Sequence, residues 1–300
     1  MYSIIFSITF VYLFIAIGFL VKRVFKEAVD SKTLTIISVY GTQPFVTLWG
    51  FSNAKLNIEH FYVGVIYLAI IFILLIPTAL LSKVLFKDRK ERAIFTIAGF
   101  VGNTGNIGIP LGIALFGDKS VIYTTIINLA NVFVVYIFGV YIYSRGSFSI
   151  KKSLLNIVKI PIIPASAVAI LLNFLGFSPN KEIAKLLEMG AYAGIVIQLI
   201  LLGTFLEKIK ITQINKRLYS LVLLLKFIFI PLLTYIILSY IDIDEFIKKI
   251  LLMQMLTPLA IANINLASLY DCRPKDVTNL IFISTILFIL VLILFSKVIL

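Results

Sequence analysis

The chain is short of almost everything a soluble enzyme relies on. It has a single cysteine, Cys272, which excludes an internal disulfide and a cysteine-based metal site. Its single histidine, His60, lies between two apolar runs and reads as surface decoration rather than as a catalytic base. Charged residues make up 14% of the sequence, whereas a soluble domain carries about a quarter. The longest polar stretches, 83–92 and 207–217, run to about ten residues each, too few for a soluble domain. No His, Asp or Cys falls within the core of an apolar run, so a Ser–His pair, a carboxylate dyad or a metal cluster at membrane depth has no residues to form it. The first apolar run lacks a basic leader and a small-residue cleavage site, and is expected to be a first membrane span rather than a signal peptide.

What the chain does have is apolar length. Hydrophobic residues make up 61%, with a mean hydropathy of +1.08, so lipid is the expected outer solvent. The net charge of +13 does not point to nucleic acid, because the basic residues form short clusters between apolar runs rather than one face. About twenty apolar residues cross a bilayer as a helix. On that measure ten spans are expected, near 3–21, 33–50, 61–81, 93–116, 121–143, 154–177, 183–206, 218–240, 247–270 and 277–298. The second is interrupted at Gly41-Thr42-Gln43-Pro44. The first, third, fifth and seventh loops hold sixteen Lys and Arg residues, and eight lie in the remaining loops. This bias places the richer loops in the cytoplasm and both termini outside the cell membrane.

Five spans on each side of the middle give halves of opposite orientation, 1–150 and 151–300, the condition for an inverted repeat within one all-α membrane domain. Residues 72–77 resemble residues 227–231, with Pro77 and Pro231 154 residues apart, and 111–116 resemble 266–270 at nearly the same offset. Spans four and nine carry the informative chemistry. Span four contains Gly99, Gly102, Asn103, Thr104, Gly105, Asn106, Gly108 and Pro110, a composition that disfavours a regular helix. Span nine carries Thr257, Pro258, Asn263 and Asn265 in the matching place. Non-helical backbone at membrane depth persists only inside protein or beside a watery cavity, and paired interruptions mark a transporter's binding site. Each break starts a new helix N-terminus, whose free N–H groups and positive dipole favour an anion. The alternative reading is a pair of kinks packed by small residues.

Lys226 stands about two and a half turns into span eight. A cation at that depth either serves function or reaches back to the interface, about 13 Å away at 1.5 Å per residue. Gln254 and Gln198 are polar at membrane depth and are candidates to line the cavity, while Asn128 and Asn131 either do the same or bond neighbouring helices. The acidic residues Asp118, Asp271 and Glu188 lie at helix ends, outside both breaks, which argues against direct proton antiport. Coupling to H+ or Na+ stays open, because Asn, Thr and carbonyl oxygens suit a hard cation. No cofactor or metal is expected.

At Gly102-Asn-Thr-Gly-Asn-Ile-Gly-Ile-Pro110, and again at Thr257-Pro258-Leu-Ala-Ile-Ala-Asn263 followed by Leu266-Ala-Ser-Leu-Tyr270, the chain resembles the auxin efflux carrier family. That family includes plant hormone carriers and prokaryotic permeases for malonate, malate and related acids. The resemblance implies a five-plus-five inverted repeat whose broken helices 4 and 9 cross near the midplane, elevator-like alternating access, and a homodimer in membrane lipid. It also implies carboxylate binding around Pro110 and Pro258, with Asn103, Asn106 and Asn263 close by. The long regulatory loop of plant members has no counterpart here. The expected function is therefore a permease for a small mono- or dicarboxylate. The substrate-binding candidates are Asn103, Gly105, Asn106, Pro110, Thr257, Pro258, Asn263, Asn265, Lys226 and Gln254. A bile-acid/sodium-symporter-like carrier and a non-transporting anion receptor are the alternatives.

Overall fold

A chain this apolar satisfies its backbone in lipid by forming helix. The computed structural model describes residues 2–52, 55–144, 158–207 and 215–299, and every regular element among them is helical. Arg145, Lys151, Lys152, Lys208 and Lys210, counted among the basic loops, and the 150/151 boundary of the expected repeat lie outside the described residues. Among the described residues, five helical stretches are long and apolar enough to cross a membrane: Ile58–Leu85, Asp118–Tyr143, Lys181–Glu207, Lys216–Ser239 and Pro274–Phe295. The chain forms two compact units, each drawing on both halves of the sequence: residues 1–61, 105–129 and 158–208, and residues 62–104, 130–157 and 209–300.

In the first unit, helix α1 (Tyr2–Phe25) lies against the long helix Lys181–Glu207. Small residues allow the close approach. A Cβ at Gly18 would overlap the Ile200 carbonyl, and one at Gly203 the Ile15 carbonyl. The interruption expected at Gly41–Pro44 does not break the chain. Helix α2 (Ser31–Ile36) widens into a π-turn over Ile37–Thr42 and continues as α3 (Gln43–Ser52). The wide turn gives the Pro44 ring room beside the preceding carbonyls, which a tight α-turn would not. Below it, Phe51, Leu56, Ile122, Ile126 and Ala169 form an apolar cluster. Asn173 closes one end of this cluster, donating to the Phe51 carbonyl at 2.8 Å and accepting from the Leu56 amide at 2.8 Å.

In the second unit, α4 (Ile58–Leu85) contains Pro77, and Thr78 Oγ1 donates to the Leu74 carbonyl at 2.8 Å. Helix α5 (Arg89–Ile97) begins at Asp88, whose carboxylate accepts from the Lys90 amide at 2.7 Å, an ordinary N-cap. Further along the chain, Lys216–Leu224, a π-turn at Leu225–Phe229 and Ile230–Ser239 form one continuous stretch, and again the wide turn lies just before a proline, Pro231. The last long helix is Pro274–Ile299.

One end of this unit is held by charge. Arg273 reaches Asp88 at 2.6 Å, Glu91 at 2.8 Å and Asp276 at 3.5 Å, and Lys90 pairs with Asp271 at 2.7 Å. Between the two paired residues sits Cys272, fully buried, its thiol against the Lys90 carbonyl at 3.5 Å. Asp271 and Arg273 both have positive φ, 48° and 47°, a conformation that costs a non-glycine residue energy and that the ion pairs hold in place. These pairs put Arg273 at the same end as the third loop, so Arg273, and Lys275 two residues on, belong with the lysine- and arginine-rich loops rather than with the poorer set.

Candidate functional site at two paired helix breaks

Two helices of the second unit end in mid-course. Helix α5 stops at Ile97, and regular structure resumes only in the π-turn Thr104–Gly108. The helix Glu245–Leu256 stops before Thr257, which is extended at φ −51° and ψ 143°, and a new helix begins at Ala262. The two interruptions lie side by side and antiparallel, with Gly102 opposite Leu259. The Asn103 amide donates to the Pro258 carbonyl at 2.8 Å, and the Ala260 amide to the Val101 carbonyl at 2.9 Å. The Leu259 amide donates to Ser284 Oγ at 3.2 Å. Each break thus supplies the hydrogen bonds that the other lost by leaving the helix, which is the condition for non-helical backbone in an apolar setting.

Side chains complete the cradle. Asn263, fully buried, directs Nδ2 at the carbonyls of Val101 (3.0 Å), Ala260 (3.1 Å) and, more distantly, Ala98 (3.5 Å). Its Oδ1 accepts from Tyr143 Oη at 3.0 Å. Asn131 donates to the Gly102 carbonyl at 2.9 Å and accepts from Tyr67 Oη at 3.1 Å. Asn131 therefore bonds neighbouring segments, one of its two expected uses. Thr257 Oγ1 donates to the Gln254 carbonyl at 2.7 Å. Lys226, with 1% of its surface exposed, donates from Nζ to the Gly99 carbonyl at 2.9 Å. It does not reach the interface. The π-turn at Leu225–Phe229 carries it, and such turns recur at functional sites.

Of the candidate residues, six share this unit and this neighbourhood: Asn103, Thr257, Pro258, Asn263, Lys226 and, one turn before Thr257, Gln254. Asn265 is exposed and makes no part of the cradle. Gly105, Asn106 and Pro110 belong to the first unit, where Gly105 and the half-buried Asn106 lie in the π-turn and Pro110 opens the helix Ile109–Phe116. A Cβ at Gly105 would come within 2.8 Å of Asn128 Oδ1. Tyr67, Tyr143 and Ser284 were not foreseen. Each sits in an apolar run, where tyrosine and serine read as ordinary filling, and the only signal was a hydroxyl at membrane depth in need of a partner.

Two groups are left over. Asn103 Nδ2 and both polar atoms of the Gln254 amide are buried without a hydrogen-bond partner. Buried polar groups are nearly always paired, so orphans beside a cradle of donors suggest a ligand. The sequence matches the family described as membrane transport protein over residues 44–296, most of the chain and both breaks. The chain belongs to that family. This agrees with the resemblance to auxin efflux carriers carried by the residues around Pro110 and Pro258. Like other proteins of the membrane transport protein family, it is a multi-pass transporter. It is also similar to an uncharacterized transporter of Methanocaldococcus jannaschii, at 26% identity over 300 residues that cover 97% of each chain.

Proposed function

We propose that this transporter moves a small organic anion, a mono- or dicarboxylate of the malonate or malate kind, across the cell membrane by alternating access. The supporting observation is the Lys226 ammonium, buried at the paired breaks and in no ion pair with a carboxylate among the described residues. A buried charge without a partner is expensive. An incoming carboxylate supplies that partner, and the orphaned amides of Asn103 and Gln254 supply neutral hydrogen bonds that orient it. In the first unit, Gly105, Asn106 and Pro110 lie at the start of the helix Ile109–Phe116, whose N–H groups favour negative charge, and are assigned to substrate binding as well. In this reading the halves 1–150 and 151–300 are inverted repeats of five spans each. The paired breaks are the crossing point, and the carrier works as a homodimer in lipid with both termini outside.

The test is uptake of labelled malonate, malate and indole-acetate into proteoliposomes, with Gln254→Ala and Asn106→Ala beside the parent protein. Losing a buried hydrogen bond to a charged ligand should lower uptake of the favoured acid about tenfold in each variant. Uptake of none of the three acids, in a protein shown to be folded, would remove the carboxylate reading.

A further inference from the structure

Broken membrane helices expose carbonyl oxygens at their C-terminal ends, and in transporters built on such breaks those oxygens hold a coupling cation. Here six of the break carbonyls are already engaged. The Gly99 carbonyl accepts from Lys226 Nζ, the Val101 carbonyl from the Ala260 amide and Asn263 Nδ2, and the Gly102 carbonyl from Asn131 Nδ2. On the second break the Gln254 carbonyl accepts from the Thr257 amide and hydroxyl, the Pro258 carbonyl from the Asn103 amide, and the Ala260 carbonyl from Asn263. A hard cation gathers about six oxygens, and these are turned toward donors fixed in the protein. The acidic residues of this unit, from Asp88 to Asp276, all lie at helix ends or in loops. Among the described residues no cluster of three or more His, Cys, Asp or Glu side chains is placed to hold a metal ion.

One of those fixed donors carries a full charge. We propose that the Lys226 ammonium is a tethered cation: it takes the seat of a coupling ion on the carbonyl end of α5, so that the carrier runs without sodium. The surroundings fit a built seat. The π-turn at Leu225–Phe229 presents the lysine, and Gly102 leaves the space its head group needs, since a Cβ there would stand 3.3 Å from Nζ and 2.8 Å from Thr257 Oγ1. The Gly99 carbonyl takes one of the three N–H donors of the ammonium, leaving the rest of the charge to face an anion. A coupling ion that binds and leaves adds its charge only in some states of the cycle. A lysine adds it in all of them, and the bound carboxylate becomes its counter-ion. The transport half of this inference rests on the anion-carrier reading; the cation half does not.

The experiment has two arms. In the first, without substrate, thermal unfolding of the purified protein is followed in sodium chloride and in choline chloride at equal ionic strength. The parent protein should unfold at the same temperature in both. Lys226→Ala should unfold at a lower temperature in choline and recover part of the loss in sodium or methylammonium, cations small enough for the vacated space. In the second arm, carboxylate uptake by the parent protein should change by less than about twofold when sodium is replaced by choline on both sides, and Lys226→Ala should lose about tenfold or more. Sodium-specific stabilisation of the parent protein, or parent uptake that requires sodium, would overturn the tethered cation. So would a folded Lys226→Ala indifferent to both small cations. If Lys226→Ala does not fold, the parent protein's response to sodium decides alone. Expected behaviour in the first arm with no uptake of any acid in the second would sink the anion-carrier reading and leave the tethered cation standing.

Discussion

At the scale of single residues, the site depends on side chains that stand in for lost backbone partners. Asn263 is the clearest case, because its one amide serves carbonyls from both breaks and its oxygen serves Tyr143. Asn263→Ala should cost about 2–4 kcal/mol, since it leaves more than one buried group unpaired. Tyr143→Phe should cost about 1 kcal/mol, and thermal unfolding of the two variants checks the order. Gly102 acts by what it leaves out. Gly102→Ala should lower transport about tenfold or more, because its methyl would press on Thr257 Oγ1 and Lys226 Nζ. Adding Thr257→Ala should restore part of the activity, and uptake by the double variant measures how much. The asparagines were legible in the sequence because Asn amid Gly and Pro at membrane depth has few other uses. The tyrosines were not, since Tyr67 and Tyr143 sit in runs where any large apolar residue would serve. Nor was the depth of Lys226, because distance along a helix does not say which way a long side chain turns.

At the scale of elements, prolines did not have the effect their composition suggests. Pro44 and Pro231 both follow π-turns that absorb them without breaking the helix, whereas the break at Thr257–Pro258 is a true interruption. The difference lies in the partner: an extended segment at 101–103 supplies hydrogen bonds to Pro258 and Ala260, and such pairing between residues far apart in sequence leaves no local sign. The ion pairs at Arg273 hold the loops at one end of these elements. Partial burial works against the charged form of Asp88, but the Lys90 amide, the Arg273 guanidinium and the Lys90 charge outweigh it and hold the carboxyl below its usual range. A depressed carboxyl contributes stability above its unfolded value, about 4, and loses it as pH falls through the folded value. The unfolding temperature should therefore be level from neutral pH down to about 5 and drop below about 4. Arg273→Ala should lower stability at pH 7 by about 1–2 kcal/mol and shrink the acid drop, because these partly exposed pairs are screened by water. Thermal melts of both proteins from pH 3 to 8 test this.

At the scale of the whole molecule, the sequence told more about solvent than about shape. Apolar length and low charge were enough for a helical membrane protein, and the breaks were enough for a transporter. The grouping of distant segments into two compact units was invisible, since it depends on contacts between residues more than a hundred positions apart. Pairing Arg273 with Asp88 strengthens the positive-inside bias, because it adds Arg273 and Lys275 to the basic end. An epitope at the N-terminus should accordingly be reached by antibody on intact cells, and one inserted near Lys83–Lys87 only after the membrane is opened. The buried thiol of Cys272 has a further use. As the chain's sole sulfhydryl, shut beneath two ion pairs and held between residues in a strained backbone conformation, it is a built-in clock for that end of the molecule. The rate at which a thiol reagent consumes it, with no engineered label, measures how often those ion-paired loops open.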